Sequence, residues 1–440
     1  MASEAAKCLS DVICDYAEWP QKYTDLDDLK NLIAQLLNDT PLNERIEILK
    51  NSSDANGWTA FHQAAYQNHS SVITTMLSSL ESADRLQTLT AYEFTPLHQA
   101  ASCGHSETIK AILELLVMEE QLQFIKTKSK LSGTVFHEAA ENGHADTISV
   151  ILGYLKTENY VDILSQGDIF GKSAAHLAAQ CGHTGALLSL LHRLNLDNQF
   201  KVISMADQVG MTVLHTHRAA EMGFIDTVKE LLGPLSTQLK AELIFAKKWD
   251  SRTAFHLASK QGHVNIVKEL IDCLTSDGQK FRLITAADNG GKTAAHFATA
   301  CGNTHVLEAI VKCTSRDRQL DLLTMQTICA QTPLHLAAAG GYTETVNVIL
   351  SAVSKDRMFQ LITMQDKLGR TALHAAVEET NTDTLKALLD SQSLSDINRI
   401  LSIENVFGTS VIQLGADRGK KDVSKLLSEY QQKVETALSM

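Results

Sequence analysis

The chain is poor in proline and in rings: 440 residues hold five prolines, and aromatic side chains make up 5%. Scarce proline leaves long stretches open to helix, and scarce rings leave any core to small and aliphatic side chains. Positive charge is also short. Lys and Arg total 39 against 51 Asp and Glu, a net charge of −12. An acidic chain repels a phosphate backbone, so nucleic acid is not an expected partner. The local basic runs, Lys126 to Lys130 and Lys420–Lys421, are expected to be solvated faces. No apolar run approaches the roughly 20 residues that span a bilayer, which argues against membrane insertion. Glu4, Asp11 and Asp15, with no basic-then-apolar run, are unlike a secretory signal. The eight cysteines form no C-x-x-C pair and no zinc-type grouping, the pattern of reduced thiols in a cytoplasmic protein. Nucleophile elbow, phosphate loop, H-E-x-x-H and kinase signatures are missing too. No catalytic residue and no cofactor is therefore expected, and the chain does not read as an enzyme.

What is present is ordinary in bulk and unusual in arrangement. With 44% apolar and 20% charged residues, the composition excludes wholesale disorder. A length of 440 residues exceeds one compact core and leaves several domains or a linear array. One phrase recurs: Thr95-Pro-Leu-His98-Gln-Ala-Ala, Thr332-Pro-Leu-His335-Leu-Ala-Ala, Thr371-Ala-Leu-His374-Ala-Ala. The matching histidines are His62, His98, His137, His176, His215, His256, His296, His335 and His374. By subtraction their separations are 36, 39, 39, 39, 41, 40, 39 and 39. A tenth, degenerate copy follows 39 residues on, with Gln413 in place of the histidine.

The physics of one copy is legible. Thr, or Ser173 in the fourth copy, stands where a helix N-cap should be. Pro96 and Pro333 fall at the first helical position, where a missing N–H does no harm. The histidine comes three residues inside, where a capping-box side chain reaches back. Gly104, Gly143, Gly182, Gly262 and Gly302 end this short helix. A second helix follows, with Ile109, Ile112, Leu113 and Leu116 at the spacing of a one-sided apolar stripe. A pair this small cannot bury its own apolar faces, and stacking the copies buries them against neighbours.

With Asp366, Gly369 and Thr371 upstream, the Thr-Pro-Leu-His phrase, the Ala pair and the Gly-His turn resemble the ankyrin repeat over about residues 54–430. The resemblance implies an all-α solenoid of about ten units, with antiparallel helix pairs, projecting fingers and a concave surface for protein partners. It also implies that the motif Thr and His are structural. The period departs from the family, whose units run about 33 residues. The additional residues precede the finger and repeat a pattern of their own: Ser82-Ala-Asp84-Arg85, Ser315-Arg-Asp317-Arg318, Ser354-Lys-Asp356-Arg357. Serine followed by an early acid predicts a short third helix in most units. The fifth copy is two residues too long, so His215 or His217 could take the motif position and local distortion is expected. The tenth copy suits a terminal cap. Residues 51–440 thus form the array and residues 1–50 a helical cap. Leu26 to Leu37 and Leu42 to Leu49 resemble the second and third helices of a half-repeat. The opening 20 residues are open between a helix and a frayed tail.

Several histidines are seven apart, such as His98/His105 and His137/His144, but a glycine turn separates them and no Cys or carboxylate completes a tetrahedral set, so no metal is expected. Cys103, Cys181 and Cys301 share one repeat position in separate copies, beyond disulfide reach. Binding falls to positions the stack leaves free: the finger tips, six or seven residues before each motif histidine, and the outward positions of the first helix. The tips include Tyr92, Ile169, Phe170, Trp249, Ile328, Leu368 and Phe407, with Trp58, Phe94 and Arg252 just before the capping residue. Aromatics and Arg dominate interface energy. The competing role is packing against the next finger or the third helix, and it suits Ile169, Phe170 and Phe407 better than Trp249 or Tyr92. On the first helix Tyr66, Glu141, Glu221, Lys260 and Glu378 are mixed in charge, which suits a protein partner. The expectation is a monomeric protein-binding scaffold or adaptor in the cytoplasm, of its own cell or of a host if it is a host-directed effector. The alternative is an inhibitory or capping subunit that occludes a partner enzyme.

Overall fold

The structure, a computed structural model, describes residues 4–18, 25–51, 58–215, 224–417 and 420–438. These residues are helices joined by turns, with isolated bridges at Ala287–Thr293 and Glu404–Ser410 and no longer strand among them. They divide into two compact units, residues 1–216 and 217–440.

Most copies supply an inner, an outer and a third helix. In the second copy these are Pro96–Cys103, Ser106–Leu113 and Met118–Ile125; in the eighth they are Pro333–Ala339, Thr343–Ala352 and Lys355–Ile362. A helix of seven or eight residues is marginal alone, so its ends matter. Thr95 donates its backbone N–H to His98 Nδ1 at 3.2 Å, and the Thr95 hydroxyl accepts the His98 N–H at 3.4 Å. The same box closes at Thr59, Thr134, Ser173, Thr253, Thr293, Thr332 and Thr371. Gly104 stops the helix at φ +77, where an added Cβ would also strike the His144 ring at 2.5 Å.

The motif histidine joins copies as well as capping its own. In most copies its Nε2 meets a finger carbonyl of the next copy, as His137 to Lys172 O at 3.0 Å, His256 to Ala286 O at 2.9 Å and His335 to Arg370 O at 3.0 Å. Seven residues on, a second side chain reaches the preceding copy's inner-helix end: His105 to Ala65 O, His144 to Ser102 O, Asn381 to Ala338 O. That is the work of the second histidine in the seven-apart pairs, and Asn can replace it because only a donor is needed. In the fifth copy the Thr212 hydroxyl lies 2.9 Å from His215 Nδ1, so His215 takes the motif position on a short 3₁₀ turn, Val213–His215. His217 and Glu221 lie outside the described residues. The tenth copy keeps the device with other atoms: Ser410 N–H donates to Gln413 Oε1 at 2.8 Å, and Lys420 reaches the Val377 carbonyl.

Outer helices carry the core. Ile109, Ile112 and Leu113 are fully buried, and Ser106–Leu113 packs between Ser70–Ser78 and Ala145–Gly153. Each such side chain contributes about 2 kcal/mol of burial. A third helix is present in each of the first nine copies, from Ser82–Leu89 to Leu394–Leu401. Ser315 and Ser354 stand at its cap position, whereas Ser82 is already the first helical residue, after Glu81. The third helix also closes the outer one: Gln121 donates to Leu113 O and Leu116 O, and Gln319 to Val311 O and Thr314 O.

Ahead of the first copy, Leu26–Asp39 lies against the outer helix Ser70–Ser78, and Leu42–Asn51 against the third helix Ser82–Leu89. A further helix, Glu4–Glu18, lies against the inner helix Ala60–Tyr66 and buries Leu9, Ile13 and Tyr16. The Tyr16 hydroxyl is 2.7 Å from His69 Nδ1. Three helices therefore precede the array; the first takes the helical of the two options the sequence left open and has no trace of the motif.

Candidate functional site

A finger is a tight turn built around one side chain. Asp168 Oδ1 accepts the N–H groups of Phe170 and Lys172 at 2.8 and 2.9 Å, and Gly171 completes the turn at φ +76. Asp207, Asp288 and Asp366 do the same in their copies. Neighbouring tips are joined by one backbone bond each. In the first unit these are Ile169 N–H to Leu131 O and Gln208 N–H to Phe170 O, both 3.0 Å. In the second, Asn289, Ile328, Lys367 and Val406 bond likewise to Asp250, Gly290, Cys329 and Leu368.

Onto this row the structure places the predicted residues in two groups. Ile169, Phe170, Trp249, Ile328, Leu368 and Phe407 are exposed, with Trp249 at 71% and Ile328 at 62%. Trp58, Tyr92, Phe94 and Arg252 are half-buried. The Tyr92 hydroxyl donates to Lys50 O at 3.0 Å and its ring stands edge-on to His62; Phe94 lies 5.5 Å from His98 and Trp58 5.7 Å from Tyr66. The reason for Tyr92 is length. The interval from His62 to His98 is 36 residues, three short of the usual 39. Those three are missing from the finger, which also lacks the Asp-x-x-Gly turn, so its ring folds inward. Leu131, Val209 and Val406 are exposed at tip positions too. Sequence reasoning passed over them, although their distance from the histidine marks them.

Trp249 sits on a finger held by ion pairs. Lys248 Nζ is 2.8 Å from Asp250, and Arg252 Nε is 3.2 Å from Asp288 of the next finger. The Arg252 guanidinium also lies 4.8 Å over Phe297, and Asn289 donates to the Trp249 carbonyl at 3.4 Å. Burial works against the Asp250 carboxylate, but the Lys248 ammonium and the Arg252 amide more than offset it and hold its pKa below the usual range.

The inner helices line the same side as the finger bases, since Lys172 reaches Gln180 at 2.7 Å and Arg370 reaches Glu378 at 2.7 Å. The residue after each motif histidine is mostly polar in the first unit, as Gln63, Gln99, Glu138 and Thr216 with Leu177 the exception, and apolar in the second, as Leu257, Phe297, Leu336 and Ala375. Burial, with a smaller contribution from Glu141, raises the Glu138 carboxyl to about 7.

Among the described residues no three His, Cys, Asp or Glu side chains gather as a metal site requires, and no helix is long and apolar enough to cross a membrane. A family model described as ankyrin repeats matches residues 26–124, 136–242, 216–321 and 316–401. No curated protein matches the chain. Ankyrin repeats are in general protein-binding scaffolds and not enzymes. Capping box, inter-copy histidine and hydrogen-bonded fingers are the physical content of that match, and the chain belongs to the ankyrin-repeat family.

Proposed function

We propose that the protein is a scaffold or adaptor that binds a protein partner through its finger tips and inner-helix face, with Trp249 as the principal anchor. The observation that carries this is a tryptophan 71% exposed on a finger immobilised by two ion pairs and two bonds to its neighbour. A large exposed ring on a backbone turn already fixed by these bonds buries much area on binding with little loss of backbone entropy, the property of interface hot spots. Ile328 and Leu368 extend the surface of the second unit; Ile169 and Phe170 are exposed tips of the first, where Trp58, Tyr92 and Phe94 support the first fingers from within. Eight free cysteines favour a cytoplasmic site of action.

The test is capture from cytosolic extract, comparing the intact chain with the Trp249→Lys, Ile328→Lys double variant. A protein retained by the first and lost from the second is the expected result. Equal retention by both overturns the reading. A captured enzyme that loses activity in the complex would place the chain among inhibitory subunits instead of passive scaffolds.

A further inference from the structure

We infer that the tenth finger is a separate binding site, open on one side, that takes an Asp-x-x-Gly or Asn-x-x-Gly turn of another protein through the Phe407 carbonyl. This site does not depend on Trp249.

The bonds between fingers follow one rule. The donor is the residue directly after the one that holds the turn: Ile169 after Asp168, Gln208 after Asp207, Asn289 after Asp288, Ile328 after Thr327, Lys367 after Asp366 and Val406 after Asn405. The acceptor is the carbonyl just before the positive-φ residue of the preceding finger, as Phe170 before Gly171, Cys329 before Ala330 and Leu368 before Gly369. By subtraction, Leu368 follows Cys329 by 39 residues and Phe407 follows Leu368 by 39. Phe407, just before Gly408 at φ +71, is therefore the next acceptor in the row. Its carbonyl receives no donor among the described residues. Its ring is 76% exposed, with Val406 beside it at 60%.

The space for a further turn is open too. An added Cβ at Gly171, Gly291 or Gly369 would meet the donor nitrogen of the next finger at 2.9, 3.0 or 2.8 Å, because the following turn lies directly on the glycine. At Gly408, with nearly the same φ, the nearest atom is Glu404 Oε2 at 3.9 Å. Lys421–Leu438 covers the helical layers and buries Val423, Leu427, Tyr430 and Val434, yet Val406 and Phe407 stay in solvent.

The atoms of this berth select its occupant. The N–H groups of residues 405 to 410 are all bonded within the chain, to Thr409 O, Leu368 O, Asn405 Oδ1, Asn405 O, Asn405 Oδ1 and Gln413 Oε1 in turn. The tip offers an acceptor and no backbone donor, so two copies cannot pair tip to tip through this bond. The occupant must bring the N–H. Six bonds within the chain show which backbone brings it at this geometry: a turn held by the side chain of Asp, Asn or Thr, with the following N–H turned outward.

The test uses the full chain with isotope labels at phenylalanine carbonyls and glycine amides. Phe-Gly occurs at Phe170–Gly171 and Phe407–Gly408 alone, so a carbonyl-to-amide correlation spectrum holds two signals. Phe170, already bonded to Gln208, is the internal control. The probe is a fluorescein-labelled cyclised peptide of residues 364–371, the ninth finger. Titration is expected to move the Phe407 carbonyl signal downfield and leave Phe170 in place, in the Trp249→Lys variant as well. Three changes should each weaken binding, read by anisotropy, by about fivefold or more: N-methylation of the peptide at its Lys367 position, alanine at its Asp366 position, and Gly408→Asn in the chain. Asn tolerates the positive φ and fills the berth. An unmoved Phe407 signal overturns the site. Undiminished binding of the N-methyl peptide overturns the backbone bond, and undiminished binding of the alanine peptide overturns the turn. Binding lost with Trp249→Lys would place the peptide on the Trp249 surface and overturn a separate site.

Discussion

Residues 1–216 and 217–440 carry the same motif, yet the residue after the motif histidine differs. In the first unit it includes Gln63, Gln99 and Glu138, with Leu177 apolar, and the first finger is short and folded in at Tyr92 while Leu131 and Phe170 stand in solvent. In the second it is Leu257, Phe297, Leu336 and Ala375, and Trp249 and Ile328 stand in solvent. Positions that stack copies are the same in both units because every layer has the same neighbours. Positions that face solvent are released from that demand, and there the units diverge.

The largest effect concerns what the units share. Burial lowers the pKa of His137, His176, His335 and His374, and takes His98, His256 and His296 to about 4. Folded rings therefore stay neutral while unfolded ones protonate, so the stability they contribute is complete above pH 6.5 and is lost as pH falls toward 4. Each of the last three should cost about 2 kcal/mol by pH 5. Two of them lie in the second unit and one in the first, so urea unfolding at pH 7.5 and pH 5 should show a falling midpoint, with proteolytic cuts appearing first beyond residue 217. A midpoint unchanged by acid would contradict the buried, neutral rings.

Next in size is the contrast in binding. Trp249→Lys should remove about 2 kcal/mol or more of partner affinity, roughly 30-fold. Leu131→Lys, on an equally exposed tip of the first unit, should change it less than about twofold. Calorimetric titration of the captured partner distinguishes them, and equal losses would erase the asymmetry. Glu138 gives a smaller effect of opposite sign to the histidines. Its raised pKa means that the folded state gains stability from protonation, which disappears as pH rises from the usual carboxylate value through about 7. Glu138→Gln should therefore raise the unfolding free energy read from urea titration at pH 8 by about 1 kcal/mol, discounted for partial exposure, and leave it unchanged at pH 4. The smallest contrast is Ser173→Ala against Thr371→Ala. Each removes an N-cap worth about 1 kcal/mol, and thermal melts should show equal shifts in the two units. A larger shift at Ser173 would mean that the first unit depends more heavily on its caps.

Much of this architecture was legible because it is written in short-range pattern. The Thr-x-x-His box, the glycine stop and the apolar stripe at Ile109, Ile112 and Leu113 act within one or two turns, and so does the serine-acid signal before the third helices. The candidate tips were legible as positions, since each lies six or seven residues before a histidine. Their fate was not, because it depends on the neighbouring layer. Tyr92 is drawn in by Lys50, 42 residues earlier. Arg252, a candidate for binding, is engaged by Asp288, 36 residues later. Glu4–Glu18 lacks every motif residue and takes its place by burying Leu9, Ile13 and Tyr16 against a neighbouring layer.

By itself the sequence determined the number of copies, the three helices in each and the residues that cap them, because those interactions close within a few residues along the chain. The tertiary structure alone decided which tips stay in solvent and which charged side chains pair across layers. Those outcomes depend on side chains about one repeat apart in sequence that meet only when the layers stack.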